Sequence, residues 1–235
     1  MSIKNFFMVV LVLIIALPVL VCISSYNKYR DAIETISIEE MVAEIKSDDS
    51  YYSIEDIPQF YIDAVVCVED RRFYSHNGFD FVGTVRAIIT DIKTKSLKEG
   101  GSTISQQLAK NMYFPQDNTI ERKIAEIFTA IDIEKKYTKN EVLELYFNCI
   151  YYGSGYYNIY DAAIGYFDKP PCDMNEYEAS LLAGVPNAPS VYSPRVNPEL
   201  AHQRQEKVLD TMIDCGKIND DKKQEILLLR NEYQW

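Results

Sequence analysis

At 235 residues and 27.1 kDa the chain has room for one ordinary domain, or one domain with an appendage. A hydrophobic fraction of 47% with 25% charged residues excludes a disordered chain, and 24 basic against 35 acidic residues, a net −11, excludes a general nucleic-acid binder that works by neutralising phosphates. Two distant histidines, His76 and His202, argue against a histidine-rich zinc site, and five scattered cysteines without a CxxC make neither a disulfide framework nor a metal knuckle.

The first element is an apolar helix. Phe6 to Ile23 runs eighteen residues without a charge. As a helix it spans about 27 Å, close to the ~30 Å hydrocarbon core of a bilayer. No A-x-A cleavage site follows, and Val21 is too large to precede a lipidated Cys22, so residues 1–25 are expected to be an uncleaved anchor. Lys4 stands on one side and Lys28 and Arg30 on the other, so the positive-inside rule does not orient it. Residues 26–56 are polar and acidic, and read as a stalk or a peripheral helix.

From Pro58 onward helical spacing dominates. FYIDAVVCVED is apolar up to Glu69-Asp70. Ile124, Ile127, Phe128 and Ile131 repeat at i, i+3, i+4 and i+7, as do Val142, Leu145, Tyr146 and Cys149. Asn197-Pro198 opens a helix toward Met212 that Gly216 can end. Period-2 runs are scarce, so the expected class is mainly α, with the domain at 57–216 and a helical tail at 217–235. Cys67, two residues before Glu69, is expected to face away from it into the core. Tyr151, Tyr152, Tyr156 and Tyr157 suit packing better than a sugar-stacking surface.

Three stretches carry more chemistry than packing needs. In EDRRFYSHNGFD, Glu69 and Asp70 end an apolar helix, where carboxylates oppose the helix dipole and where apolar neighbours raise the pKa of a prospective general base. In GGSTISQQLAKN, two glycines precede a Ser102 or Thr103 cap, and Gln106 and Lys110 lie on one face; helix-start amides plus a lysine suit a pyrophosphate. In ERKIAE, Arg122, Lys123 and Glu126 share one helix edge, as a catalytic cluster or as a plain surface ion pair.

In this order the stretches resemble the successive motifs of the peptidoglycan glycosyltransferases, glycosyltransferase family fifty-one. EDRRFYSHNGFD is similar to the first motif, GGSTISQQLAKN to the second, RKIAE to the third, KNEVLELYFN to the fourth and EYEASLLAGVPNAPSVYSP to the fifth. The resemblance implies a lysozyme-like, two-lobed helical domain tethered by one N-terminal transmembrane helix, single-pass in the cytoplasmic membrane with the active domain outside the cytoplasm. It implies polymerisation of lipid II, with Glu69 as general base and Glu126 as the second important glutamate. Asp70, Ser102, Gln106, Gln107, Lys110, Asn111, Arg122, Lys123 and Asn187 fall on substrate-contact positions. No cofactor is obligatory; a divalent cation, Mg²⁺ or Mn²⁺, is the one candidate, at Glu126. Expected partners are lipid II and the growing glycan, the bacterial membrane, a separate transpeptidase, and division or elongation proteins, with no nucleic acid. No KTG triplet appears, so the chain is expected to be monofunctional.

Two positions depart from the pattern. Asn118 and Ala125 stand where relatives often carry cations, which leaves Lys110, Arg122 and Lys123 unless Lys93, Lys95, Lys98 or a metal substitutes. The missing cations keep a catalytically weak or inactive cell-wall scaffold in play as an alternative. A glycan-cleaving lysozyme-like enzyme is a second, although it has no need of the basic cluster.

Overall fold

The computed structural model describes residues 3–94, 101–114 and 119–233, with the side chains at 3, 6, 9, 11, 13, 88 and 91–94 left aside. Its α-helices are α1 Ile3–Thr35, α2 Ile38–Lys46, α3 Gln59–Glu69, α4 Phe81–Thr94, α5 Ile104–Tyr113, α6 Ile120–Lys136, α7 Lys139–Cys149, α8 Ile159–Phe167, α9 Glu176–Gly184, α10 Pro189–Tyr192, α11 Pro198–Asp214 and α12 Asp220–Leu228. Among the described residues there is no strand, only an isolated bridge between Asn77 and Phe79. The mainly helical class expected from the periodicity is therefore the observed one.

Local chemistry sets the helix starts. Ser37, Thr103, Thr138 and Asn175 each accept the N3 amide of the helix that follows, and Glu40, Gln106, Glu141 and Glu178 return the bond to the cap's own amide. Each such box satisfies two of the four amides that a helix start leaves unpaired. At the other end of α11, Gly216 at φ +70° donates to Ile213, closing the helix where the glycine was expected to.

Two sets of helices meet around one core. In one, α5 packs on α6 and α7, and α1 lies along α6; in the other, α3, α9 and α11 pack on one another. Helix α9 is the hub of the second set, since Tyr177 through Gly184 are all buried. That is why its sequence lacks a polar face. Segment 26–56 is helical over most of its length, and Ile38 and Val42 of α2 enter the same core.

Helix α1 passes without a break from the apolar run into the domain. Tyr26 and Tyr29 pack on Phe128 of α6 with ring centroids 5.6 and 5.7 Å away, and the Tyr29 hydroxyl donates to Asp132. Its N-terminal half exposes Phe7, Met8, Val12, Ile14, Ile15, Leu17, Val19, Leu20 and Ile23. Among the described residues, which leave out the side chains at 6, 9, 11 and 13, no helix is long and apolar enough to cross a membrane.

One glycine ties the two motif-bearing loops together. Gly78 takes φ +82°, and a Cβ there would lie 2.7 Å from the Ala130–Ile131 backbone of α6, while its carbonyl accepts from Thr103 Oγ1 at 2.7 Å. Gly78→Ala is expected to destabilise the fold by about 3 kcal/mol, or some 6–12 °C in Tm, read by thermal denaturation. A loss below 1 kcal/mol would show that the loop relaxes freely.

Candidate active site

The two helix sets enclose a cleft of about 1140 Å³. All eleven residues expected at the site line it: Glu69 and Asp70 from the end of α3; Ser102, Gln106, Gln107, Lys110 and Asn111 from the start and body of α5; Arg122, Lys123 and Glu126 from α6; and Asn187 after α9. Folding thus brings together motifs that are separated by more than a hundred positions in the chain.

Glu69 has the environment of a base. Its side chain is almost wholly buried; Gln107 Nε2 donates to Oε2 at 2.8 Å, and an Arg204 guanidinium nitrogen lies 3.4 Å from Oε1. Burial raises its pKa above the ordinary carboxylate value, and the charge of Asp70 adds to this, while the Gln107 bond and Arg204 pull the other way. The amide of Gln107 is oriented from behind, because Tyr146 Oη donates to its Oε1 at 3.1 Å and so turns the NH₂ toward Glu69.

The remaining expected residues divide by task. Asp70 Oδ2 meets His76 Nε2 at 2.9 Å and accepts the Ile104 amide at 3.1 Å, so it fixes the start of α5 against the end of α3. Gln106 is buried and completes the Thr103 capping box. Asn111 donates to Gln107 O within its own helix. Glu126 is fully buried (0% exposed), which rules out the plain surface pair. Arg122 Nη1 donates to its Oε1 at 2.6 Å and Lys123 Nζ to its Oε2 at 2.8 Å, with Lys123 also reaching Ser102 Oγ at 2.6 Å. Both oxygens of Glu126 therefore carry a cation already, and the carboxylate does not fit the role of a divalent-ion ligand. Among the described residues no three His, Cys, Asp or Glu side chains converge on a metal position.

Ala125 turns out not to be a gap in the cationic side. It is fully buried and does not line the cleft, because on α6 the positions 122, 123 and 126 face the cavity while 125 is rotated into the core. Asn118, Lys95, Lys98 and the side chain of Lys93 lie outside the described residues. The cleft holds two cations that the motif reading passed over, Arg86 on α4 and Arg204 on α11. Lys110 and Arg86 are exposed and make no hydrogen bond or ion pair among the described residues, whereas Arg72 forms a two-pronged pair with Asp80. The tyrosines split as well. Tyr152 is buried and bonded to Tyr61 at 2.8 Å, and Tyr156 packs on Tyr166; Tyr151 and Tyr157 pair at 4.8 Å on the cleft wall.

Comparison with known proteins agrees with this geometry. The profile of the Transglycosylase family matches residues 37–213. The chain belongs to the transglycosylase family. It is 44% identical, over 72% of its length and 73% of the relative's, to a protein of Cupriavidus necator provisionally named a transglycosylase. It is 45% identical to penicillin-binding protein 1A of Aquifex aeolicus over 74% of its length, and 39% identical to penicillin-binding protein 4 of Bacillus subtilis over 77%. It spans about a quarter of the length of these penicillin-binding proteins, 24% and 29% respectively. The transglycosylase match begins at 37, beside the α2 residues that enter the core.

Two stability measurements test the electrostatics of this transglycosylase cleft without any substrate. A carboxyl whose pKa is raised in the fold binds its proton more tightly there than in the unfolded chain, so stability falls as pH rises from the ordinary Glu range of about 4.3 through the raised value. Glu69→Gln removes that dependence, and its Tm advantage over wild type should widen between pH 4 and pH 8; a gap that narrows instead would contradict a raised pKa. At the other carboxylate, Arg122→Met should cost about 3 kcal/mol because it takes a largely buried cation (15% exposed) from a buried Glu126. Lys123→Met, at 43% exposure, should cost about 1 kcal/mol or less in the same melts.

Proposed function

We propose that the chain is a peptidoglycan glycosyltransferase that polymerises lipid II into linear β-1,4 glycan and releases undecaprenyl pyrophosphate. What carries this reading is one cleft in which a desolvated carboxylate, Glu69, faces a wall of cations, of which Lys110 and Arg86 are uncommitted among the described residues. Glu69 takes the proton from the 4-hydroxyl of the acceptor sugar, and that oxygen attacks C1 of the donor. The donor's pyrophosphate departs from the opposite face, so the configuration at C1 inverts. Lys110 and Arg86 receive the leaving charge, with Lys123, Ser102 and Arg122 held beside them by Glu126.

The chemistry needs one base and no second acid. Pyrophosphate leaves as a stabilised anion once cations meet it, so no carboxylic acid has to protonate it as in a glycosidase. A raised pKa strengthens Glu69 as a base, and its partners hold it without quenching it: a neutral amide at 2.8 Å and a guanidinium at 3.4 Å. Arg204 is on this reading a positioning residue. The Tyr151–Tyr157 pair offers an aromatic face to a sugar ring, and Asn187 a polar contact near it. A glycan-cleaving enzyme would gain nothing from the free cations.

The proposal extends to place and architecture. The two helix sets around a cleft support a lysozyme-like, two-lobed unit at 57–216 with α2 packed on it and a helical tail after it. The charge-free run from Phe6 to Ile23, with its exposed apolar side chains, supports a single-pass anchor that holds the unit outside the cytoplasm. Phe81, Val82, Val85 and Ile89 add an exposed apolar stripe on α4, beside Arg86. Glycan made there is handed to a separate transpeptidase and to the division or elongation machinery.

The test is lipid II polymerisation by the full chain in detergent, with and without Mg²⁺ or Mn²⁺. Glu69→Gln should lower the rate by roughly 10²–10⁴-fold, the usual contribution of a general base. Lys110→Met should lower it by about 10–100-fold, the value of one charge-assisted phosphate contact. A wild-type chain that binds lipid II and forms no polymer would overturn the proposal in favour of a scaffold.

A further inference from the structure

Helices α3 and α11 meet along a seam that is bonded at both ends. Lys217 Nζ donates to Asp63 Oδ1 at 3.0 Å, one turn before Cys67, and Arg71 donates to Asp214 Oδ2 at 3.3 Å, one turn after it. Positions 63, 67 and 71 follow one another at intervals of four along α3 and its exit, while 214, 215 and 217 lie within four residues of one another at the end of α11 and just past it. Between the two cross-links stand Cys67, 3% exposed, and Cys215, half-buried, at the C-cap of α11; both thiols are free, and the bracketing cross-links set them on one seam. Neither takes part in the reaction proposed above.

We propose that Cys67 and Cys215 are a redox-active pair that closes a disulfide between α3 and the end of α11, with a small-molecule disulfide as oxidant. Cys215, the more accessible, attacks one sulfur of that disulfide as the thiolate, releasing one small thiol and leaving a mixed disulfide. Cys67 then gives up its proton and attacks Cys215 Sγ, releasing the second small thiol. Two protein thiols are oxidised, one small disulfide is reduced, and the two protons end on the released thiols. Burial, with Cys215 and Asp63 adding to it, pushes the Cys67 thiol up to about 12, so the second exchange is the slow one.

The bond would close a loop of roughly 150 residues, long enough for a marked restriction of the unfolded chain. It would also staple the helix that ends in Glu69 to the helix that carries Arg204. The inference stands apart from the polymerase reading, because its measurement uses no substrate.

The full chain in detergent is incubated with glutathione disulfide, its remaining thiols are alkylated under denaturing conditions, and the digest is mapped by mass spectrometry. The expected result is a cross-linked peptide joining Cys67 and Cys215, lighter by two hydrogens and reversed by dithiothreitol. The Tm should rise by about 5–10 °C. Cys215→Ala should lose both effects while its reduced form melts with the reduced wild type. Alkylation of both cysteines after exposed Cys172 has been fully modified, a product that stops as a mixed disulfide on Cys215, or a cross-link that leaves the Tm unchanged would each overturn the proposal.

Discussion

The structure turns on keeping one carboxylate out of water while giving it too little in return. Glu69 ends an apolar helix, at the terminus where the helix dipole is negative, and its burial is offset by one neutral amide and one guanidinium at the edge of bonding distance. Such a group is costly to fold around, and it survives because the elements that hold it are stable for other reasons. Gln107 sits on α5, whose start is locked by the Thr103 box and by Asp70; Tyr146, which turns the Gln107 amide, is fully buried on α7; Arg204 rides on α11 against the hub α9. A small shift of any of these helices would let water in or give Glu69 a closer cation, and either change would return its pKa toward the ordinary range.

The second carboxylate is treated in the opposite way. Glu126 is wholly buried yet has a cation on each oxygen, and it is the fixed point around which Arg122, Lys123 and Ser102 are arranged. Like charges so close together would repel without it. The chain as a whole is acidic, at −11, so the cationic side of the cleft depends on local order rather than on bulk charge. Held cations and free ones then play different parts. Arg122 and Lys123 present a preset field, whereas Lys110 and Arg86 have no partner among the described residues to give up when an anion arrives.

Much of this was legible in the sequence because it is local. Helical periodicity, a cap at Ser102 or Thr103, the shared edge of Arg122, Lys123 and Glu126, and the ordered motifs are all set by residues within a turn or two of one another. What escaped was tertiary. Arg204 reaches Glu69 from 135 positions away, and no pattern around it sets it apart from an ordinary surface arginine. Arg86 lies on an amphipathic helix whose cleft-facing edge is decided by how Thr84 and Ala87 of α4 meet the Gly101 segment. Ala125 looked like a missing cation until the rotation of α6 was fixed; one residue on a helix turns 100°, which suffices to move a side chain from cavity to core. The four tyrosines around Gly153 were indistinguishable by composition, and the positive φ of Gly153 and Gly155 sends two inward and two to the cleft wall.

The join between α1 and α6 bears on how such a site would meet a lipid-borne substrate. On the proposed reading the donor's tail stays in the bilayer and its pyrophosphate sits near the surface, so the cations must be held at a set height. Phe128, on which Tyr26 and Tyr29 pack, is six residues from Arg122 on the same helix, about 9 Å along the axis at 1.5 Å per residue. A helix is stiff over that distance, and α1 itself is continuous from its apolar run to the contact. On that reading the apolar run and the cationic wall are joined by two continuous helices, through the two aromatic contacts on Phe128 and the Tyr29–Asp132 bond. A loose tether would let the cleft tumble over the surface and lose a fixed approach to the phosphates. A rigid one spends conformational freedom once, at folding, instead of at every turnover.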